Sequence, residues 1–405
     1  MSHKRVVITG LGAVTSIGIG AEAFARSLRK GASGVSEITV FDTSGFTSKN
    51  GCEIRDFDPQ AWVHRLNPET IGRSSQFSIA AARMAIADSR IDPKLLSQNR
   101  CGVSIGTTDG ESQLIDWLTE KWVKQGPAQL DSDSDKFRQV PADRLSLNVA
   151  QEFDLHGEAV TISTACAAGN YAIGHAYDLI AAGDADFMLC GGADSMCRKT
   201  FAGFYRLGTI APSVCQPFDR NRQGLLTGEG AGILFLESLE SAIARGAHIY
   251  AEILGYGVNC DANHMVAPDK NSIAKCIRLA HKNAGIDPND VDYISAHGTG
   301  TQANDLTEAG AILEVFGDKT PPTSSIKSMI GHTMGAASAL SSIACAIALQ
   351  QSFIPPTINC QSVDPECGLD CVPNKARSAD LHIVQNNAFA FGGNNSVVIF
   401  SKCNV

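Results

Sequence analysis

The sequence predicts an α/β protein in which helices cover a largely parallel sheet. Short β-branched runs ending in glycine alternate with helix-period segments, the grammar of strand–helix–strand units. The same grammar resumes near residue 250 and continues to the end of the chain. Of 405 residues, 44% are apolar and 19% charged, so most of the chain can be buried and disorder is excluded as its main theme.

Each element has a local reason. Arg5–Gly12 is a β-branched run that enters a glycine turn. Ala21–Lys30 has the apolar stripe of a short amphipathic helix and is closed by Gly31. Ser78–Ile91 is Ala-rich and helical, and Gly102–Thr107 is a strand. From 108 to 150 the chain turns polar, as expected of an excursion over the surface. Ala159–Ser163 is a strand and Ala167–Ala182 a helix of small and apolar residues. Asp186–Gly191 and Tyr250–Gly257 are strands, Ile273–Ala284 a helix and Val291–Ala296 a strand. Gly335–Gln350 is a buried helix and Ile383–Ala388 a strand.

The formal charge is −9, which argues against nucleic-acid or anionic-membrane binding and leaves room only for a local basic patch. The start of the chain shows no apolar signal segment, and the apolar run 336–349 is too short to span a bilayer. The 13 cysteines include no CxxC pair, so reduced thiols and a cytoplasmic location are expected. Cys360, Cys367 and Cys371 lack the paired spacing of a structural zinc site, and no metal is expected.

Several motifs are decoys. Gly10-Leu-Gly12 lacks the third glycine and the acidic partner of a dinucleotide loop, and reads as a strand-ending turn. Gly102–Gly106 matches GxSxG, but Ser104 sits inside a strand rather than on a turn into a helix. His264 reads as a surface residue, and His175 as a core residue of an apolar helix.

Four segments carry chemistry. Cys166 follows the β-branched run Val160–Thr164 and opens a helix of small residues. That elbow places its sulfur over a helix N-terminus, which favours thiolate and lowers the thiol pKa. His297 leaves a strand for the loop Gly298-Thr-Gly-Thr301, and imidazole exchanges protons near neutrality. Lys327 and His332 stand five apart, just before the buried helix. Asn387–Asn395 is a strand running into a Gly392-Gly393 turn that can move Phe391. One Cys and two His at strand C-terminal ends belong where α/β folds place their sites.

With RVVITGLGAVTS (5–16), QPFDRNRQGLLTGEGAGILFLE (216–237), HMVAPD (264–269), AHGTGTQAND (296–305), SIKSMIGHTMGAA (325–337), PPTIN (355–359) and GGNNSVVIF (392–400), the whole chain resembles a β-ketoacyl-acyl carrier protein synthase. It is similar to the condensing enzymes with a Cys-His-His site, which serve bacterial fatty-acid elongation and type II polyketide synthesis. The resemblance implies a thiolase-like fold, two related α/β halves in a five-layer αβαβα sandwich. The halves are 1–255, with the nucleophile, and 256–405, with the two His. It implies decarboxylative Claisen condensation, with Cys166 taking the acyl chain as a thioester. The N–H groups of Cys166 and Phe391 would form the oxyanion hole. His297 and His332, as neutral imidazoles, would bind the malonyl thioester carbonyl and assist loss of CO2. Lys327 and Glu308 would hold the site's geometry, with a plain Lys–Glu pair as the alternative. Thr299, Thr301, Phe389, Gly392 and Gly393 would meet the substrate and its pantetheine arm. No bound cofactor is implied; the substrates ride on the phosphopantetheine of an acyl carrier protein, the expected partner. A homodimer, or a heterodimer with a ketosynthase-like subunit, is also implied.

The sequence departs from the family pattern in three places. Both variable positions of Ala165-Cys-Ala-Ala-Gly169 are alanine, Ala390 replaces the first glycine of the gate turn, and the helix expected to dock the acidic carrier is poor in Lys and Arg. Docking then falls to Arg65, Arg73 and Arg206, and a dedicated polyketide or polyene carrier is expected. The rivals are a housekeeping fatty-acid synthase, a chain-length-factor-type subunit lacking the Cys, a thiolase with a second catalytic Cys, and a serine hydrolase.

Overall fold

The computed structural model describes residues 3–126 and 132–403. Ten strands form one hydrogen-bonded path. They are β1 (Val6–Thr15), β2 (Cys101–Gly106), β3 (Ala159–Ile162), β4 (Phe187–Asp194), β5 (Gly230–Ser238), β6 (Ala251–Cys260), β7 (Tyr293–Ser295), β8 (Thr323–Ser324), β9 (Ile383–Phe389) and β10 (Asn394–Ser401). Their spatial order is β8-β7-β9-β10-β6-β1-β5-β4-β2-β3, with Gly18–Ile19 folded back on β1.

The path holds the same pattern twice. In the first five strands β2 runs parallel to β3 and β4, while β5 runs antiparallel to β4 and β1. In the second five, β7 runs parallel to β8 and β9, while β10 runs antiparallel to β9 and β6. The two sets meet where Val6–Ile8 pairs with Ala251–Ile253. Residue 255 therefore lies inside β6, and a divide that keeps every strand whole falls at 245–250.

The expectation of a largely parallel sheet is corrected: each half is mixed. Strands β9 and β10 are joined by only four residues, and so short a link can only reverse direction. β5, β8 and β10 were absent from the sequence expectation.

The helices that matter are α1 (Ala21–Lys30), α2 (Arg73–Ser89), α3 (Ser112–Gln125), α4 (Arg144–Phe153), α5 (Ala168–Ala182), α6 (Arg198–Arg206), α7 (Lys270–Ala284), α8 (Gln302–Phe316) and α9 (Ala336–Gln351). α2 and α4 cover the outer face of the first set, and α7 packs with α8 outside the second. Between the two sets lie α5 and α9, which touch strands of both. This is the five-layer sandwich. Small residues allow the close central packing: a Cβ on Gly169 of α5 would come within 2.8 Å of Ser338 and Ala339 of α9. Every residue of α9 from Ala336 to Leu349 is buried, so the apolar run is a core helix. No helix among the described residues is long and apolar enough to cross a membrane.

Two local readings are corrected. Gly10 and Gly12 do not end a strand; they lie within β1, where a Cβ would come within 2.1 Å of the Ala85 oxygen and 1.8 Å of the Ala81 oxygen. They let α2 sit directly on β1. The segment 108–150 is only in part a surface excursion. Leu145 and Val149 of α4 belong to the core formed with α2, whereas residues 127–131 lie outside the described residues.

Candidate active site

The site sits where both halves end their strands. β3 leads into a turn in which Ala165 adopts a left-handed φ of 50°, then the 3₁₀ turn Ala165–Ala167 and α5. That strained elbow presents Cys166 to a cavity while its side chain is 5% exposed overall. The cavity, of about 240 Å3, is lined by Cys166, His297, His332, Thr299, Thr301, Phe389, Phe391 and Gly393, among others. One ligand atom each of Cys166, His297 and His332 lies within 4.8 Å of the others. The two imidazoles meet edge to face, with ring centroids 5.5 Å apart and planes at 82°.

The loop carrying His297 is shaped from α8. Glu308 accepts the N–H groups of His297 and Gly298, both at 2.8 Å, and Asp305 accepts that of Gly300 at 3.2 Å. The Asn387 amide donates to Glu308 at 3.1 Å. From the opposite side the Lys327 ammonium donates to the His297 carbonyl oxygen at 2.6 Å. A direct Lys327–Glu308 ion pair is thus not how these residues work; each grips the main chain of His297. Gly300, at φ 79°, supplies a backbone conformation that side chains resist. Thr301 caps α8 by accepting the Asn304 N–H, and its hydroxyl bonds that of Thr299 at 2.9 Å.

Among the described residues, one hydrogen bond reaches the His332 ring. Met334 donates its N–H to Nδ1 at 3.2 Å, so Nδ1 is the acceptor and Nε2 bears the proton of the neutral ring. Burial and the nearby Lys327 charge push both imidazoles well below the ordinary histidine range, with His332 adding a smaller push at His297. Both are neutral at pH 7. Burial also lowers Lys327 and raises Glu308.

The expectation of a lowered Cys166 thiol is overturned. Burial pushes it up to about 12, against the smaller opposing pulls of Lys327 and of the Cys166 and Phe391 N–H groups that point at the sulfur. Desolvation of a thiolate outweighs a helix terminus here.

Other sequence expectations fare differently. Gly392 is not at the cavity wall; its N–H is bonded to the Met265 oxygen at 2.7 Å. Arg73 is not free to dock a partner, because its guanidinium is bound to the fully buried Glu229 and to the Ile54 oxygen. Arg65 is exposed but paired with Asp154 at 2.7 Å. Arg206 is exposed at the end of α6, next to Leu207 in the cavity wall, and makes no ion pair among the described residues. His264 is exposed, as expected, and also lines the cavity, its Nδ1 accepting the Val266 and Ala267 N–H groups. His175 is not a core residue; it is partly exposed and bonds Glu158 at 2.7 Å. Cys360, Cys367 and Cys371 are buried in the core beneath β7 and α8, and Ser104 is buried inside β2. That Phe204, Leu207 and the loop 264–268 form a cavity wall escaped the sequence reading, as did Asp194. The signal for Asp194 was its place at the C-terminal end of an apolar strand.

A thiol on a strained elbow, two neutral imidazoles and converging N–H donors define an acyl-transfer enzyme that works through a thioester. The chain belongs to the beta-ketoacyl synthase family. The model of its N-terminal domain matches residues 3–242 and that of its C-terminal domain residues 250–361. The chain is 37% identical to a 3-oxoacyl-[acyl-carrier-protein] synthase 2 of Synechocystis sp., over 99% of both chains, and equally so to one of Staphylococcus aureus. Among solved structures it is 51% identical to a chain of the ishigamide ketosynthase/chain length factor, with TM-score 0.97 over 99% of this chain and 100% of that one. It is 33% identical, with TM-score 0.91, to a chain in a type II PKS acyl-carrier protein complex with its ketosynthase bound to the hexaketide; the coverage is the same.

Proposed function

We propose that the protein joins an acyl thioester to malonyl-acyl carrier protein by decarboxylative Claisen condensation. The observation that carries this reading is the Cys166–His297–His332 cluster, closed to within 4.8 Å at the floor of a cavity. Cys166 Sγ attacks the acyl thioester and the carrier's thiol leaves with the proton. The N–H groups of Cys166 and Phe391, aimed at the sulfur, then hold the oxyanion. Fixed donors of this kind are worth about 3 kcal/mol each. His297 and His332 donate to the malonyl thioester carbonyl as CO2 departs; the enolate attacks the acyl carbonyl on Cys166, the C–S bond breaks, and the released thiolate takes a proton from solvent to restore the thiol. Neutral rings suit the step, because an imidazolium would protonate the carbanion. Thr299 and Thr301 at the cavity wall receive the pantetheine arm, and Phe391 gates it.

The pathway we propose is a dedicated type II polyketide or polyene line rather than housekeeping fatty-acid elongation. Support comes from the higher identity to the ishigamide chain, 51% against 37% for the 3-oxoacyl-[acyl-carrier-protein] synthase 2 relatives, and from a docking face on which, among the described residues, Arg206 alone of the three expected arginines is unpaired. The partner would be a ketosynthase-like subunit, as that structure's name pairs them. β3, at the outer edge of the path with its four residues half-buried, offers it an open strand edge. The chain-length-factor reading of this chain itself loses to the presence of Cys166.

Incubation with acyl-carrier protein should add the acyl mass to the Cys166 peptide, and malonyl-carrier should then release CO2 and a 3-oxoacyl product. Condensation by Cys166→Ala would sink the assignment. Equal elongation rates with a general fatty-acid carrier and with the pathway's own would sink the pathway reading.

A further inference from the structure

Asp194 ends β4 with a side chain fully buried between the two halves. Among the described residues its carboxylate touches no cation and accepts four donors. Oδ1 takes the Thr107 hydroxyl at 2.6 Å and the Asp109 N–H at 3.0 Å; Oδ2 takes the Thr108 N–H at 2.8 Å and the Gly335 N–H at 2.6 Å. Three donors belong to the loop after β2, in the first half. The fourth belongs to the loop of the second half that carries His332.

That fourth contact falls one residue beyond Met334, which holds a left-handed φ of 50°. A side-chain-bearing residue adopts such a φ only when its surroundings insist. In this conformation Met334 aims its N–H at His332 Nδ1. His332 itself is anchored on the main chain, its N–H to the Leu226 oxygen at 2.7 Å and its carbonyl to the Gly228 N–H at 2.9 Å. Nothing in that anchorage selects the ring tautomer. The Met334 N–H does, and Asp194 pins the residue that follows it. Gly335 is pressed against Thr107, where a Cβ would come within 2.5 Å, so the two loops are already in contact at this point.

We propose that Asp194 is a positioning residue: by binding Gly335 across the halves it holds Met334 in its strained conformation, and so fixes His332 with its proton on Nε2, facing the cavity. The proposal rests on the role given to His332 above. Burial and the neighbouring Asp109 raise the Asp194 carboxyl above the usual carboxylate range, against the donors that hold it ionised, and its negative charge in turn raises the Cys166 thiol. Asp109 is balanced by Lys199 at 3.0 Å. Asp194 therefore acts on both ends of the site, on the ring through Met334 and on the sulfur through its charge.

The test uses the full-length protein, with Asp194→Asn, isosteric but without charge, and Asp194→Ala, which removes all four contacts. Each oxygen serves two donors, so the amide NH2 of Asn must face at least one N–H it cannot accept. Malonyl-carrier decarboxylation is followed as kcat and KM separately, and Cys166 alkylation by iodoacetamide is followed against pH. Expected are a kcat lower by about tenfold or more, as small misplacements cost, a nearly unchanged KM, and an alkylation midpoint moved to lower pH. Loss of packing alone would also lower the midpoint by wetting the buried sulfur, but it would raise KM along with it, so the unchanged KM separates the two. A folded Asn variant with kcat within about twofold of wild type, or with an unmoved midpoint, overturns the proposal; if Ala fails to fold, Asn alone decides. A wild-type protein that does not decarboxylate malonyl-carrier would instead overturn the proposed function, so the two failures are distinct.

Discussion

The Lys327 ammonium donates to the main-chain oxygen of His297, while Glu308, on the far side of the same residue, accepts its N–H. The imidazole is thus held by its backbone from two directions, and neither charged group occupies the ring's own nitrogens. Lys327 nonetheless acts on the ring through space, holding its pKa down.

Lys327→Met should expose that action. Removing the positive charge lets His297 and His332 take protons more easily, so the acid limb of malonyl decarboxylation should move to higher pH. Wild type should keep its rate through pH 6.5 and decline only well below it. The same variant loses a charge-assisted bond to the His297 oxygen, and kcat should fall by about tenfold to a hundredfold. A pH–rate profile of both proteins checks this, and superimposable acid limbs would contradict it.

Cys166→Gln should abolish condensation and leave decarboxylation of malonyl-carrier intact or faster. The amide oxygen can accept the Cys166 and Phe391 N–H groups now aimed at the sulfur. It mimics the acylated state without a bond to cleave. Release of CO2 with no 3-oxoacyl product is the expected result; absence of CO2 would contradict the roles of the two histidines.

Stability should also register the buried rings. An unfolded imidazole takes a proton below about pH 6.5 and a folded His332 does not, so unfolding takes up protons there. The neutral ring's contribution is present above that pH and is lost as pH falls, at up to about 1.4 kcal/mol per pH unit. Buried carboxyls such as Glu308 slope the other way. The comparison must therefore be with His332→Asn, which should lose less stability than wild type between pH 6.5 and 5. Urea unfolding at several pH values measures the difference.

The two arginines should separate stability from docking. Arg73→Ala strips the buried Glu229 of its cation and should cost about 3 kcal/mol, seen as a lower Tm. Arg206→Ala touches no ion pair and should leave Tm alone while raising KM for the carrier protein, an effect that grows at low ionic strength. A KM effect confined to Arg73→Ala would reverse the assignment.

The strand–helix grammar located most elements to within a few residues because buried β-branched runs and small-residue helices are local signals. Ala21–Lys30 was legible to the residue, with Gly31 closing it. The antiparallel strands β5 and β10 were not: only four residues separate β10 from β9, and β5 follows a long irregular stretch after α6. Cys166, His297, His332 and Lys327 were legible as residue types at strand ends. Their protonation was not. The elbow suggested a lowered thiol, but burial by residues from both halves decides it, and that burial is written nowhere near Cys166. The commitment of Arg73 to Glu229 spans 156 residues, and sequence spacing cannot show such a pairing.

The doubled strand pattern assigns its parts unequally. Cys166 follows the third strand of the first set, and His332 follows the third strand of the second. Equivalent positions on equivalent scaffolds carry unlike tools, and neither set owns a whole reaction. The residues 245–250 that link the sets contribute nothing to the cavity wall. A chain cut there would separate two inert fragments, and activity would return only as they reassembled: catalysis here belongs to the seam.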